Sequence, residues 1–403
     1  MIDVAIVGAG AAGLMAAIWA RRTFPERRVV VLDGARTLGA KILVAGGGRC
    51  NVTHHEVDET AFAGSSRPAI RKVLRRFGVA DTVAFFREQG VPLKREDTGK
   101  LFPTTDRART VLDALLHAAR AAGVEIRHPW RVEDVRPGFE LRGAGGETLE
   151  AVHVILATGG RSLPKTGSDG GGYALARGLG HTVTPRVFPG LVPLTLPAGH
   201  VLCGLSGLSA LVRLEVRTGL GRLLASFTDQ ALCTHFGLSG PAVLDVSRYV
   251  IDARLDDPAA VLVASWLPGT TAESLDATLR DPSIVPSRYC ADRMPERLAR
   301  ALCAEAGVAW GQPGHRLTRD ARRALVRAAI QMPLPITGDR GFNYAEVTAG
   351  GVPLAEVDTA TMRSRRCPGL SLCGEICDVD GRIGGFNFQW AWASGFVAGT
   401  GLP

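Results

Sequence analysis

The stretch from Asp3 to Asp33 constrains the fold more than any other part of the chain. Asp3 to Val7 is a short apolar run that reads as a strand. Gly8-Ala9-Gly10-Ala11-Ala12-Gly13 follows, Leu14 to Arg22 reads as a helix, and the β-branched run Arg28 to Leu32 ends at Asp33. Strand, glycine turn, helix, strand and acid in this order make a complete βαβ unit of the dinucleotide-binding kind. Gly8 is expected to make the tight turn out of the strand. Gly10 lets a pyrophosphate approach bare backbone, and Gly13 lets the helix lie close to the sheet. The helix N-terminus offers unpaired N–H groups and a positive dipole end to phosphates. Asp33 can accept hydrogen bonds from an adenosine ribose.

Signals far downstream separate FAD from NAD, because an NAD dehydrogenase needs no second set of glycine turns. Val152 to Ala157 reads as a strand running into Thr158-Gly159-Gly160. Leu372-Cys373-Gly374-Glu375 and Asp378-Val379-Asp380-Gly381 follow much later, where a short strand is expected to deliver an acid and bare backbone to the ribityl chain and pyrophosphate. Gly384-Gly385-Phe386-Asn387 then opens the last helix, whose N-terminal dipole suits negative charge on the N1–C2=O side of a reduced flavin. The order of these signals predicts non-covalently bound FAD.

A chain of 403 residues suggests two or three domains. Helices are predicted at Ala69 to Phe77, Asp81 to Gln89, Ala108 to Ala122 and Tyr173 to Leu179. Short strands fill Val124 to Leu156, with turn signals at Pro137-Gly138 and Gly143-Ala144-Gly145-Gly146. The texture changes near Phe188. Leu211 to Arg217 alternates as a half-buried strand does, and Leu223 to Phe227 is its partner. Pro241 opens a helix to about Val250, and Thr271 to Arg280, Pro295 to Ala306 and Thr318 to Ile330 are helical. Residues 188–337 therefore read as an insert, part β and part α, which splits one α/β domain into 1–187 and 338–403.

Composition narrows the classes further. Hydrophobic residues make up 46% and charged residues 21%, so a packed globular protein is expected. The formal charge of +8 comes mostly from Arg. With no basic block and no aromatic-interleaved Arg stripe, it reads as a solvated surface, and no specific nucleic-acid partner is expected. The Cys residues form no CxxC pair and the His residues show no zinc spacing, so no metal is expected. Scattered thiols suit a reducing cytosol. No secretory leader and no bilayer-spanning stretch are read.

Lys41-Ile42-Leu43-Val44-Ala45-Gly46-Gly47-Gly48-Arg49-Cys50-Asn51-Val52-Thr53 resembles the signature of a bacterial NAD(P)/FAD-dependent flavoprotein family. That family includes aminoacetone oxidases and reductases of unsaturated 3-oxo bile acids. Thr234 to Leu244, Glu346 to Val352 and Gly374 to Gly399 are similar to its other motifs, so the resemblance covers nearly the whole chain. It implies a Rossmann-like, glutathione-reductase-like FAD domain split by an α+β insert with a β-barrel-like part and a helical part. It also implies FAD contacts at Gly8, Gly10, Ala12, Gly13, Asp33, Lys41, Gly48, Arg49, Cys50, Asn51, Val132, Thr158, Gly159, Gly374, Glu375, Asp380, Gly385, Phe386 and Asn387. The chain departs from the family at Asp33, where relatives often have Glu, and at Arg363-Ser364-Arg365, where a Glu-Ser-Lys stretch is usual.

No catalytic side chain is singled out. Cys50 lacks the resolving partner that a flavin disulfide reductase places beside it and reads as packing. Arg49 is expected on pyrophosphate. His54 and His55 read as surface residues, Trp390 and Trp392 as core. The expected function is a cytosolic FAD-dependent oxidoreductase that transfers hydride through flavin N5 to or from a small organic substrate held between the FAD domain and the insert. NAD(P)H is a candidate transient donor. The rivals are a tRNA-modifying flavoprotein and a non-enzymatic flavin sensor.

Overall fold

The computed structural model describes residues 1–136 and 138–403, so the turn signal at Pro137 lies outside the described residues. The chain divides into two compact units, 1–189 with 342–403 and 190–341.

The first unit is built on a sheet whose central strands run parallel. Strand β1 (Ile2–Val7) is followed by helix α1 (Ala11–Thr23) and strand β2 (Val29–Leu32). β1 lies between β2 and the strand Thr148–Leu156; Leu370–Leu372 adds beyond the latter and Glu125–Arg127 beyond β2. These strands are apolar on both faces because both faces are buried. Val4, Ile6, Val31 and Ile155 are buried accordingly. Register decides what this sheet can do. Val7 pairs with Leu32 and with Leu156, and Leu156 pairs with Leu372. The four strands therefore end together, and Gly8, Asp33, Ala157 and Cys373 leave the sheet along one edge. Ligands of open α/β sheets bind at that carboxyl edge.

α1 is held unusually close on both sides. A Cβ on Gly13 would overlap the Gly8 carbonyl oxygen, so the helix lies directly on the strand turn. On its other side it meets the C-terminal helix Phe386–Thr400, where a Cβ on Gly395 would fall 2.5 Å from the Ala12 carbonyl oxygen. Helix α2 (Ala40–Val44) and the two-residue strand β3 (Thr53–His54) flank the Gly-rich turn 45–48, and helix α3 (Arg67–Leu74) follows.

The second unit carries a seven-stranded sheet around the long hairpin Ser209–Arg217 and Leu223–Thr234. Helix Pro241–Asp256 packs on that hairpin, and Ala272–Thr278, Pro286–Ala291, Glu296–Glu305 and Arg319–Ile330 complete a separate hydrophobic core. Two elements run longer than their sequence signals. The second hairpin strand continues past Phe227 through polar Thr228-Asp229-Gln230, because those residues pair with Arg213, Val212 and Leu211 of its partner. The helix from Pro241 continues to Asp256: Ile251 and Ala253 still pack on the core, Arg254 to Asp256 are exposed, and Asp257 caps it.

A cofactor site at the strand ends

The residues picked out from sequence fall into two neighbouring groups in the first unit. The first surrounds the strand ends. Gly8 adopts φ +108°, and a Cβ there would lie 2.5 Å from the Ala157 carbonyl oxygen. Gly10 caps α1 with an extended backbone and faces open space, with no atom within 4 Å of where a Cβ would be. This is bare backbone at a helix N-terminus, open on the side a phosphate would approach. Ala12 is buried beneath Gly374, whose φ is +78°. Thr158 and Gly159 leave the Thr148–Leu156 strand, and Gly159 again has positive φ, +74°. Val132 begins an outer strand close by; two residues earlier, the Trp130 N–H donates to the Asp33 carbonyl at 2.7 Å.

Asp33 is already engaged. One carboxylate oxygen accepts the Ala9 N–H at 2.6 Å and the other the Ala35 N–H at 2.7 Å. A carboxylate has about four acceptor sites, so two are left for a ribose. The shorter Asp thus ties the glycine turn to β2 as well as facing the ligand. Asp33→Ala is expected to weaken FAD binding by about 1.5–3 kcal/mol, roughly ten- to a hundred-fold. Titration of the apoprotein measures it, and an unchanged affinity would remove Asp33 from the site.

Lys41 and Glu375 form one network. Lys41 Nζ donates to Glu375 Oε2 and to Ser162 Oγ, each at 2.6 Å. Glu375 Oε1 accepts from Ser162 Oγ and from the Thr348 N–H, each at 2.9 Å. The Thr348 hydroxyl in turn accepts the N–H groups of Arg161 and Ser162. α2, the turn after Gly160, the strand Val347–Ala349 and the Gly374 turn are bolted together at one partly accessible ion pair. Ser162 and Thr348 were not picked out from sequence. Ser162 stands two residues past the Gly159-Gly160 turn, but nothing local marks which carboxylate it meets.

The second group lies where the Gly-rich loop meets the C-terminal helix. Gly46, Gly47 and Gly48 all have positive φ, and no atom lies within 4 Å of a Cβ built on Gly47. Gly385, Phe386 and Asn387 open the helix, and the Asn387 side-chain amide bonds both the N–H and the carbonyl of Gly381. Asp380 and Asn51 are buried in this region, and Asn51 Oδ1 has no protein partner.

Two side chains point elsewhere. Arg49 donates to Glu96 at 2.6 Å and lies over the Phe102 ring at 4.0 Å, so its charge is used on the hairpin Leu93–Arg95 and Lys100–Pro103 rather than turned to open space. Cys50 is fully buried at φ +60°, and burial pushes its thiol up to about 12. Such a thiol is neutral and inert. Cys50→Ser is therefore expected to keep its FAD and most of its flavin reduction rate. A long-wavelength absorbance that vanishes in the variant would instead assign Cys50 to the chemistry.

An open glycine cradle, an acid at the end of β2 and aligned strand ends fit the two phosphates and ribose of a dinucleotide. Residues 2–401 match the HI0933-like protein Rossmann domain family. The chain belongs to that family. It is 35% identical to the 3-dehydro-bile acid delta(4,6)-reductase of Clostridium scindens over 410 residues, 99% of this chain and 98% of the relative. It is 32% identical to the ribosomal RNA dihydrouridine synthase of Escherichia coli over 407 residues, again 99% and 98%. Among solved structures it resembles the 3-ketosteroid delta1-dehydrogenase of Sterolibacterium denitrificans with a TM-score of 0.51 at 13% identity, covering 99% of this chain and 98% of that one. That last likeness concerns the fold. The HI0933-like chain has the Rossmann-type FAD-binding fold and is an FAD-dependent oxidoreductase. Among the described residues no helix is long and apolar enough to cross a membrane, and no cluster of His, Cys, Asp or Glu is arranged to hold a metal.

Proposed function

We propose that this chain reduces a carbon–carbon double bond conjugated to a carbonyl in a small organic molecule. The observation that carries the reading is the aligned strand edge, where Gly10 faces open space and Asp33 and the Lys41–Glu375 pair stand beside the strand ends. The two curated relatives narrow the bond type. A 3-dehydro delta(4,6) bile acid and a uridine share an electron-poor alkene beside a carbonyl, although one is a steroid and the other a base in RNA.

FAD, when bound, supplies the two-electron hydride chemistry. Gly8, Gly10 and Gly13 let the pyrophosphate reach the α1 N-terminus, and Asp33 holds the ribose. Lys41 neutralises Glu375 and keeps the Gly374 backbone in place. Gly159, Gly374, Gly385 and Asn387 present backbone or side-chain amides to the cofactor. Arg49 and Cys50 support the loop from behind. NAD(P)H serves as a transient donor, and the eight free cysteines suit a reducing compartment such as the cytosol.

The decisive experiment is anaerobic. Purified protein should release intact FAD on acid or heat treatment, bleach with NADH or NADPH, and regain its flavin absorbance on adding a 3-oxo-4-ene steroid. Release of FMN would sink the cofactor assignment. Reduced flavin that no conjugated enone reoxidises would sink the substrate class.

One surface favours a second reading, with RNA as substrate. Arg67, Arg71 and Lys72 on α3, and Arg75 and Arg76 just after it, are all exposed, and no acid interrupts the segment. Arg71 pairs with Glu59. The reading of no basic block does not hold at this segment. The apolar face of α3 (Ile70, Val73 and Leu74) is buried, so the helix keeps no greasy side for a bilayer, whereas cations on successive turns suit a phosphate backbone. A shift assay with ribosomal RNA at moderate salt tests this. Binding lost in Arg75→Glu with Arg76→Glu promotes the RNA reading, and absence of any complex in the parent protein removes it.

A further inference from the structure

Two stacked rings sit at the turn that opens the C-terminal helix. The imidazole of His54 lies 5.0 Å from the Phe386 ring with the planes 20° apart. Phe386 is the first residue of that helix and follows Gly384-Gly385, both at positive φ. The backbone beneath the rings is fastened as closely. A Cβ on Gly385 would come 2.5 Å from the Thr53 carbonyl carbon. Thr53 Oγ1 donates to Gln389 Oε1 at 2.7 Å, and Trp392 Nε1 donates to the Val52 carbonyl at 2.8 Å. The segment Val52–His54 thus runs along the first two turns of the helix, and His54 is the end nearest the helix mouth.

The imidazole is itself fixed from the opposite side. Its Nε2 lies 3.1 Å from the Thr98 carbonyl, and its Nδ1 lies 2.9 Å from the Glu56 carbonyl and 3.3 Å from the Glu56 nitrogen. With a proton on Nε2 the ring donates to the Thr98 carbonyl and accepts from the Glu56 N–H; with a proton on Nδ1 it donates to the Glu56 carbonyl, so either tautomer ties the ring to backbone. β3 pairs with the strand Lys100–Pro103, Thr53 opposite Leu101 and His54 opposite Lys100. Gly99 has φ +82°, and a Cβ there would strike the rings of both His54 and His55. The hairpin that engages Arg49 through Glu96 and Phe102 therefore also presses His54 onto Phe386. A surface histidine has no need of such a seat.

We propose that His54 is a positioning residue for the cofactor-facing turn Gly384–Asn387. Its ring clamps Phe386 and so holds the N–H groups at the helix mouth in one orientation. This rests on the FAD reading above. Fixed N–H dipoles act on the negative charge that two-electron reduction places on the isoalloxazine, and they act more strongly when they need not reorganise. A histidine that merely fills space would change thermal stability alone. A positioning histidine changes cofactor affinity and flavin potential as well.

The test compares His54→Ala and His54→Phe in the full chain. His54→Ala should raise the FAD dissociation constant about five- to tenfold, the scale of one lost ring pair, and lower the flavin midpoint potential. His54→Phe keeps the stack, loses the two polar contacts, and should return both readouts most of the way. Where the alanine variant does not fold, His54→Leu fills the volume without a ring and should show the same loss. Wild-type affinity and potential in His54→Ala or His54→Leu would overturn the proposal, as would a phenylalanine variant no better than either. Parent protein that takes up no FAD would overturn the cofactor reading first, which keeps the two failures distinct.

Discussion

Gly13→Ala should yield no stable, FAD-binding protein, whereas Gly10→Ala, three residues away, should fold normally and lose only FAD affinity. At Gly13 the added Cβ overlaps the Gly8 carbonyl oxygen and falls 3.3 Å from the Ala157 Cβ. The obstacle is backbone, which cannot rotate aside. α1 cannot retreat either, because Gly395 and Gly399 bring the C-terminal helix against the Ala12 and Ala16 carbonyls on its far side. Overpacking in a core costs about 1–3 kcal/mol when side chains can shift. Here one rigid element would have to separate from another, so a loss above about 3 kcal/mol is expected, a large part of a total stability of about 5–15 kcal/mol. Gly10 has φ −80° and open space at its Cβ, so alanine is accommodated by the fold and obstructs only the ligand. Urea unfolding and FAD titration of both variants measure the contrast. A stable Gly13→Ala protein would mean that α1 and β1 are not packed as described.

The second large effect concerns a buried carboxylate away from the cofactor. Glu356 accepts His181 Nδ1 at 2.9 Å, the Thr182 N–H at 3.0 Å, the Thr182 hydroxyl at 2.7 Å and Arg366 Nη2 at 2.9 Å. The far nitrogen of His181 meets Ser364 Oγ at 2.7 Å. The segment after helix Gly171–Gly178 is thereby locked to residues 356–366. Glu356→Ala removes the common acceptor and leaves the Thr182 N–H and His181 Nδ1 without partners. A loss of about 1–3 kcal/mol for each buried donor left unsatisfied is expected.

The same network predicts acid lability. Burial works against ionisation of Glu356, but the hydrogen bonds from Thr182, His181 and Arg366 outweigh it and hold the carboxyl near 2. A depressed carboxyl contributes stability that is full above its unfolded pKa of about 4.3 and fades as pH falls toward the folded value. Burial also lowers the His181 pKa, partly offset by Glu356. A buried neutral imidazole likewise loses stability on acidification, beginning below about 6.5 where the unfolded chain takes up its proton. The melting temperature should therefore fall from neutral pH to pH 4 and further below, and Glu356→Gln should flatten the steeper, more acidic part. An equally steep fall in that variant would place the acid-sensitive groups elsewhere.

The βαβ unit was legible in the sequence because its requirements are local. A turn with φ +108° at Gly8 and a helix seated on it at Gly13 each need glycine within a few residues of an apolar run, and Asp33 follows at the end of the next strand. The late glycine turns at Gly374 and Gly385 were legible for the same reason. The direction of a side chain was not. Arg49 stands in a Gly-rich loop that reads as a phosphate loop, yet Glu96 and Phe102, about fifty residues on, draw its guanidinium away. Cys50 reads as packing for want of a resolving thiol, and the fold buries it completely. His54 reads as a surface residue until Phe386, more than three hundred residues later, is stacked on it. Lys41, Ser162, Thr348 and Glu375 share no sequence pattern: Ser162 and Glu375 follow parallel strands that end together, while Lys41 comes from α2 and Thr348 from a separate two-stranded sheet. Backbone conformation is restricted within a few bonds and so leaves its mark in neighbouring residues. Side-chain pairing depends on which distant segments share an edge, and only the folded sheet brings those together.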